Sequence, residues 1–271
     1  MARGILPVCL LLTTAACLGT GTRVVSLPDP SVRPVANIRT ISDYPVAAAS
    51  IVEVLERDFG FRRFPVAFYF CPDRQAFEEM LLDSGYDAAF ARQTARTMDA
   101  VGGYRRVLLN ESALERQDWP GRVASLAHEV GHSLQYEWGG GQRRTSDQWL
   151  REGFAEWLAM RVMDRLGGVT YGQVRRQYAD ALRRTRRARS PRLDEMVTFR
   201  EWVELASRQD IAPYAQAFLS VDFLIERHGL PAVVDYFERF ARDQDRESNF
   251  RAAFGENLAA FESAVTDALW R

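Results

Sequence analysis

The stretch LAHEVGHSLQYEW, residues 126–138, contains two of the three histidines of the chain, four residues apart, with a glutamate directly after the first. A start signal at Pro120 and a stop at Gly139 predict that this stretch lies in one helix. Side chains four residues apart on a helix differ in direction by about 40°, so His128 and His132 share a face, one turn apart. Two imidazoles and a carboxylate are therefore expected to emerge side by side.

This arrangement is typical of a zinc site. Zinc binds neutral imidazole nitrogen and takes four ligands, of which a catalytic site leaves one position open. In the His-Glu-x-x-His pattern, Glu129 lies beside the first ligand and acts as general base. A third protein ligand is still needed, and the only other histidine is His228. A carboxylate is therefore favoured as the third ligand.

The stretch WLREGFAEWLA, residues 149–159, offers two glutamates at helical spacing, Glu152 and Glu156. They share a helix face for the same reason that the histidines do. If Glu152 completes the zinc ligands, Glu156, one turn later, can accept a hydrogen bond from the other nitrogen of a ligand histidine, which orients the imidazole and makes it a better donor.

The predicted helix that contains the two histidines also contains a glycine, Gly131. Gly131 costs about 1 kcal/mol relative to alanine in a helix. Its presence predicts that another element approaches the helix closely near the metal.

The motif His128-Glu129-Val130-Gly131-His132, followed after nineteen residues by Glu152 in REGFAEW, resembles that of the gluzincin metallopeptidases. The phrase WL-x-EGFAEW is closest to the peptidase MA-like group and to the catalytic domain of gluzincin aminopeptidases, and the interval also matches thermolysin-like enzymes. The resemblance covers about residues 46–271. It implies that Glu152 is the glutamate that binds zinc.

The resemblance implies further roles. A tyrosine at a similar interval stabilises the oxyanion in the aminopeptidases, which points to Tyr214. The strand before the zinc helix forms the edge of the cleft, which points to Arg106–Asn110 as a platform for an extended substrate. The alternative is that this apolar strand lies inside the core. The G-x-M-E-N segment that holds a free amine in the aminopeptidases is missing upstream of residue 126, which disfavours an aminopeptidase.

The order of elements predicts an α+β fold. Strand candidates precede a long block of helices, which suggests a small N-terminal lobe with a mixed sheet, a helical C-terminal lobe and a zinc site in the cleft between them. Two segments have strand character: 65–71 and 104–110. The predicted helices are 46–59, 73–82, 87–98, 120–138, 146–166, 170–188, 199–208, 213–228, 231–242 and 256–269.

The N-terminus has the pattern of an export signal. Residues 1–17 contain one positive charge, a short apolar stretch and small residues that end in Thr14-Ala15-Ala16-Cys17, which is similar to a bacterial lipobox. Cys17 is then expected to carry lipid, and plain secretion is the alternative. Residues 18–44 are rich in Gly, Pro, Ser and Thr and are expected to be a tether with one short strand. The peptidase domain is expected to span 45–271.

Composition limits the classes of partner. The formal charge is −1, from 35 basic and 36 acidic residues, which gives no reason to expect nucleic acid. Apolar residues make up 47% of the chain, enough for a sizeable core. Cys71 is expected to be a buried strand residue, and His228 is expected to end a helix.

These observations favour a zinc metallopeptidase of the bacterial envelope or a secreted one, which acts on a peptide or protein substrate. Two alternatives remain. The first is an envelope lipoprotein that binds zinc without turnover, for which Glu129 would have no use. The second is an amidase that acts on a cell-wall peptide, with the same zinc chemistry.

Overall fold

The structure is a computed structural model that describes residues 21–27, 32–142, 146–185, 189–208 and 210–270. The predicted export signal and Cys17 lie outside the described residues. Across the ranges that are described, no helix has both the length and the apolar character needed to cross a bilayer.

A small sheet precedes most of the helices, as the α+β prediction requires. Its strands are β1 (Arg23–Leu27), β2 (Val66–Cys71), β3 (Ala100–Gly103) and β4 (Arg106–Asn110). They lie in the order β1-β2-β4-β3; β2 and β4 are parallel, and the two outer pairs are antiparallel. The sheet is therefore mixed, and the predicted α+β class with a small mixed sheet is confirmed. Strand β1 lies within residues 18–44, where a tether with one short strand was expected.

The helices of the described residues account for most of the remaining chain. Those around the sheet are α1 (Tyr44–Phe59), α2 (Arg74–Asp83), α3 (Ala88–Thr97) and α4 (Glu111–Leu114). Those that follow it are α5 (Trp119–Trp138), α6 (Gln148–Arg165), α7 (Tyr171–Arg184), α8 (Phe199–Ala206), α9 (Pro213–His228), α10 (Leu230–Arg239), α11 (Arg246–Phe254) and α12 (Leu258–Leu269).

Local capping explains why the histidine helix begins and ends where it does. The side chain of Asp118 accepts the N–H of Gly121, and Pro120 occupies the first turn, where its missing N–H is not needed. The helix ends at Gly139, whose N–H donates to the carbonyl of Gln135. The predicted bounds of this helix agree with the structure within one residue.

Strand β4 lies inside the sheet. It pairs with β2 on one side and β3 on the other, and Val107, Leu108 and Leu109 are almost completely buried. The prediction that Arg106–Asn110 forms the edge of a cleft is therefore wrong, and the alternative of an interior strand is confirmed. The outer position on this side belongs to β3, whose sequence AVGG has too few β-branched or aromatic residues to announce a strand.

Two glycines allow three helices to pack closely around the site. A Cβ atom at Gly131 of α5 would lie 3.0 Å from Cα of Ala155 on α6. A Cβ atom at Gly153 of α6 would lie 2.4 Å from the carbonyl oxygen of Ala217 on α9. Helix α6 therefore lies between α5 and α9, with its backbone close to the backbone of both helices. The close approach predicted from Gly131 is confirmed.

Candidate metal centre

Helices α5 and α6 bring His128, His132 and Glu152 together. The Nε2 atom of His128 lies 3.5 Å from Oε2 of Glu152, and Nε2 of His132 lies 3.6 Å from Oε1 of the same carboxylate. One potential ligand atom from each of the three residues can be chosen so that all lie within 4.8 Å of one another. A tetrahedral ion with bonds of about 2.0–2.1 Å separates its ligands by roughly 3.3 Å. This group could therefore hold a metal ion.

The outer ring nitrogens of both histidines are already engaged. Nδ1 of His128 lies 3.0 Å from Oε2 of Glu156, and Nδ1 of His132 lies 3.1 Å from Oε1 of Gln135. The amide nitrogen of Gln135 donates to the carbonyl of Arg151, which turns its oxygen toward His132. Because both partners are acceptors, Nδ1 carries the proton in each ring. Nε2 is then the nitrogen of each ring that faces Glu152 and is left for a metal ion.

Charge favours a cation at this point. Burial alone would raise the pKa of Glu152, but the two histidines hold the pKa of this carboxyl far below its usual range. Burial alone would lower the pKa of His128, but its contacts with Glu152 and Glu156 raise it well above the ordinary value. The amide of Gln148 also donates to Oε1 of Glu152 at 2.7 Å. The pocket between these side chains therefore stabilises positive charge.

Glu129 faces β3. Its Oε2 accepts the backbone N–H of Gly102. A Cβ atom at Gly102 would lie 2.3 Å from the carbonyl oxygen of Glu129 and 2.7 Å from Cβ of His132, so only glycine lets the strand approach the helix this closely. Gly102 was not predicted from the sequence, although adjacent glycines in a short segment are a signal of close backbone approach.

Glu156 is held from its other side by a tyrosine that was not predicted from the sequence. The hydroxyl of Tyr178 on α7 donates to Oε1 of Glu156, while Oε2 faces His128. The Tyr178 ring stacks on Phe218 of α9, with centroids 4.4 Å apart. Burial and the charge of Glu156 raise the pKa of Tyr178, so the phenol stays protonated and donates. The result is a chain of contacts from α7 to a candidate metal ligand.

Helix α7 is fixed by a second carboxylate on the same face. Tyr171 donates to Oδ1 of Asp222 at 2.5 Å, and Nε of Arg175 donates to Oδ2 at 2.6 Å. Asp222 also accepts a hydrogen bond from the indole of Trp157. This buried carboxylate ties α6, α7 and α9 together without contact with the histidines.

A cavity of about 420 Å³ opens onto the three candidate ligands and Glu129. Tyr214 of α9 lines it, with 40% of its surface exposed, and its hydroxyl accepts a hydrogen bond from the Trp202 indole at 3.4 Å. Partial burial and the nearby charge of Glu152 raise the pKa of Tyr214. Its walls also include residues of β3, α5 and α6 and three aromatic side chains, Tyr86, Phe90 and Phe199.

The third histidine lies apart from this group. Nε2 of His228, at the end of α9, lies 2.8 Å from Oε1 of Glu256. Its ring also contacts Phe254, with centroids 5.5 Å apart. His228 therefore links the end of α9 to the segment between α11 and α12 and is not a member of the candidate ligand group.

No protein-family model, curated protein or solved structure matches the chain. The assignment of the site therefore rests on the motif and the geometry of this chain's own residues.

Proposed function

We propose that the protein is a zinc-dependent peptidase. The observation that carries the proposal is the convergence of His128, His132 and Glu152 at one point beside Glu129, at the wall of a cavity. Two imidazole nitrogens and one carboxylate oxygen are the donor set of a catalytic zinc site. The resemblance of the two motifs to those of gluzincin metallopeptidases supports the same ion and reaction.

When bound, zinc would act as a Lewis acid that polarises the scissile carbonyl and acidifies a water molecule. Glu129 takes the proton from the attacking water and passes it to the leaving amine. The N–H of Gly102 orients the Glu129 carboxylate for that transfer. Tyr214 donates its hydroxyl to the oxyanion, and its raised pKa keeps the phenol protonated for this role.

We further propose that the cavity is the substrate cleft between a sheet-containing lobe and a helical lobe. Within the described chain β3 pairs with β4 along one side, and its residues 100–102 line the cavity. An extended peptide that lies along β3 would be held by its backbone, whatever its side chains. Such pairing would hold the scissile carbonyl beside Glu129.

We propose that the protein acts on its substrate outside the cytoplasm. Residues 1–17 have the pattern of an export signal that ends at Cys17. Incorporation of radiolabelled palmitate by the wild type, and its loss in Cys17→Ala, would support a lipid anchor. An exported but unlabelled wild type would support plain secretion.

The test of the central proposal combines metal content with turnover. Purified protein is expected to contain about one zinc ion per chain, and a mixed peptide library is expected to be cleaved. Glu129→Gln should retain the metal and lose cleavage, whereas His128→Ala with His132→Ala should lose both. Full zinc content in the double histidine variant would contradict the ligand assignment. Zinc binding without any cleavage would favour the alternative of a zinc-binding lipoprotein.

A further inference from the structure

One buried arginine beside the candidate metal centre has no acidic partner among the residues that the structure describes. Arg151 precedes Glu152 on α6, is 7% exposed and lines the same cavity. The hydrogen bond of its side chain goes from Nη2 to the hydroxyl of Tyr136, at 3.3 Å. Within the described part of the chain no carboxylate forms an ion pair with it, and its guanidinium donates no other hydrogen bond.

This situation is unusual for a guanidinium. The group carries five N–H donors and a permanent charge, and arginine is rarely buried without a partner. The adjacent carboxylate of Glu152 is not a partner of the Arg151 guanidinium. It faces His128 and His132 and accepts a hydrogen bond from Gln148. Four of the five donors therefore have no acceptor among the described residues and are available to a ligand.

The geometry of the arginine suits one class of ligand. The Cζ atom lies 5.2 Å from the centre of the Tyr136 ring, so an aromatic residue helps to hold the guanidinium. A planar guanidinium matches the two oxygens of a carboxylate, to which it can donate two parallel hydrogen bonds. The cavity that Arg151 lines also contains Glu129 and the candidate ligands, so such a carboxylate would lie near the reacting bond.

We propose that Arg151 binds a carboxylate of the substrate, so that the preferred substrates are peptides with a negative charge close to the scissile bond. The proposal rests on the peptidase function proposed above. Two sources supply the same chemistry: an acidic side chain and a free C-terminus. In either case Arg151 is a binding residue that determines specificity, and the buried charge is retained for the substrate and not for the fold.

The first test needs no substrate. Arg151→Met keeps an unbranched stem and removes the buried charge. Arg161→Met is the matched control, because Arg161 lies on the same helix and stacks on Trp157 and Tyr171, but does not line the cavity. Arg151→Met is expected to raise the Tm of the substrate-free protein by about 2–4 °C, since an unpaired buried charge destabilises the fold. A fall in Tm larger than that of Arg161→Met would identify a structural anchor and overturn the proposal.

The second test measures cleavage of matched peptide pairs. One arm compares peptides with a free C-terminus and the same peptides with a C-terminal amide. The other arm compares Asp and Glu with Asn and Gln at each position of an internally cleaved peptide. The wild type is expected to favour the acid in one arm by about 10- to 100-fold in kcat/KM, as for a hydrogen bond to a charged group. The arm that shows the preference identifies the source of the carboxylate.

Arg151→Met is expected to abolish this preference through KM, and Arg151→Lys to keep part of it. Arg161→Met should keep the wild-type ratio. An acid-to-amide ratio that is the same in the wild type and Arg151→Met would overturn the assignment of Arg151 and leave the peptidase proposal standing. A wild type that loads zinc but cleaves no peptide in either arm would overturn the peptidase proposal and this assignment with it.

Discussion

The backbone N–H of Gly102 donates a hydrogen bond to the carboxylate of Glu129, and this contact joins the outer strand of the sheet to the helix that carries both histidines. A side chain at position 102 would overlap the carbonyl oxygen of Glu129. Strand β3 therefore orients Glu129, the proposed general base, and the contact requires glycine at position 102.

Gly102→Ala tests this relationship. Alanine in a strand is ordinarily favoured over glycine by about 0.5–1 kcal/mol, but the overlap is expected to reverse the sign and destabilise the protein by about 1–3 kcal/mol. Gly103→Ala is the matched control, because its Cβ would meet no atom closer than 3.4 Å. Chemical denaturation and peptide cleavage should both separate the two variants. Equal stability and activity of the two would contradict a tight contact at Gly102.

The roles of Glu129 and Glu152 can be separated by amide substitution. Glu129→Gln should retain the metal and lose turnover, because an amide cannot accept the proton. Glu152→Gln should weaken metal binding, because it removes the anionic ligand. Metal content by mass spectrometry and cleavage rates would be measured for both. If the two phenotypes were exchanged, the assigned roles would be wrong.

Tyr178→Phe is expected to weaken metal binding by about 3- to 10-fold, which is less than the 10- to 100-fold typical of a direct partner of a ligand histidine. The reason is that Tyr178 holds Glu156, which in turn holds His128. Tyr171→Phe removes an equivalent hydroxyl from the same helix, but one that donates to Asp222. Chelator competition should therefore show a change for Tyr178→Phe alone.

A double-mutant cycle sharpens the same experiment. In a Glu156→Gln background, Tyr178→Phe should have little further effect on metal affinity, since the contact through which it acts is already altered. Additive effects of the two substitutions would show that Tyr178 influences the centre by another route.

Tyr214→Phe is expected to reduce kcat by about 10- to 1000-fold with little change in KM or metal content, as for the loss of one oxyanion donor. The hydroxyl accepts a hydrogen bond from Trp202 but lies in the cavity wall, so the fold should tolerate its removal. Steady-state kinetics on a cleaved peptide would measure this. An unchanged kcat would exclude Tyr214 from the reaction.

Cys71 provides a pH-dependent prediction. Burial raises the pKa of this thiol from 9.0 to about 11. The native protein therefore keeps the thiol neutral up to that pH, whereas the unfolded chain ionises near its ordinary value. The contribution of Cys71 to stability is constant below about pH 8 and should be lost as the pH rises from about 9 to about 11.

Alkylation with iodoacetamide tests the burial of the thiol on which this prediction depends. The modification of Cys71 is measured on the tryptic peptide 64–74. Modification at pH 8 should be slow in the native protein and fast in urea, because only the exposed thiolate reacts. Equal rates in the two conditions would show that β2 does not bury the thiol.

The sequence by itself determined the parts of the site that depend on helical periodicity. His128 and His132, and Glu152 and Glu156, are each one turn apart in an order that any α-helix imposes, so their shared faces follow from spacing alone. Helix α5 was also delimited correctly, because Asp118, Pro120 and Gly139 act within a few residues of themselves.

Only the tertiary structure decided which strand lies at the edge and what surrounds the ligands. Strand order depends on pairing between distant segments. The short, glycine-containing sequence of β3 does not indicate a strand, so it could not be predicted that β3, and not β4, lies at the edge of the sheet. The contacts of Gly102 with Glu129, of Tyr178 with Glu156 and of Arg151 with Tyr136 join residues 15 to 27 positions apart. Such contacts arise when separate elements pack, and periodicity within one element cannot encode them.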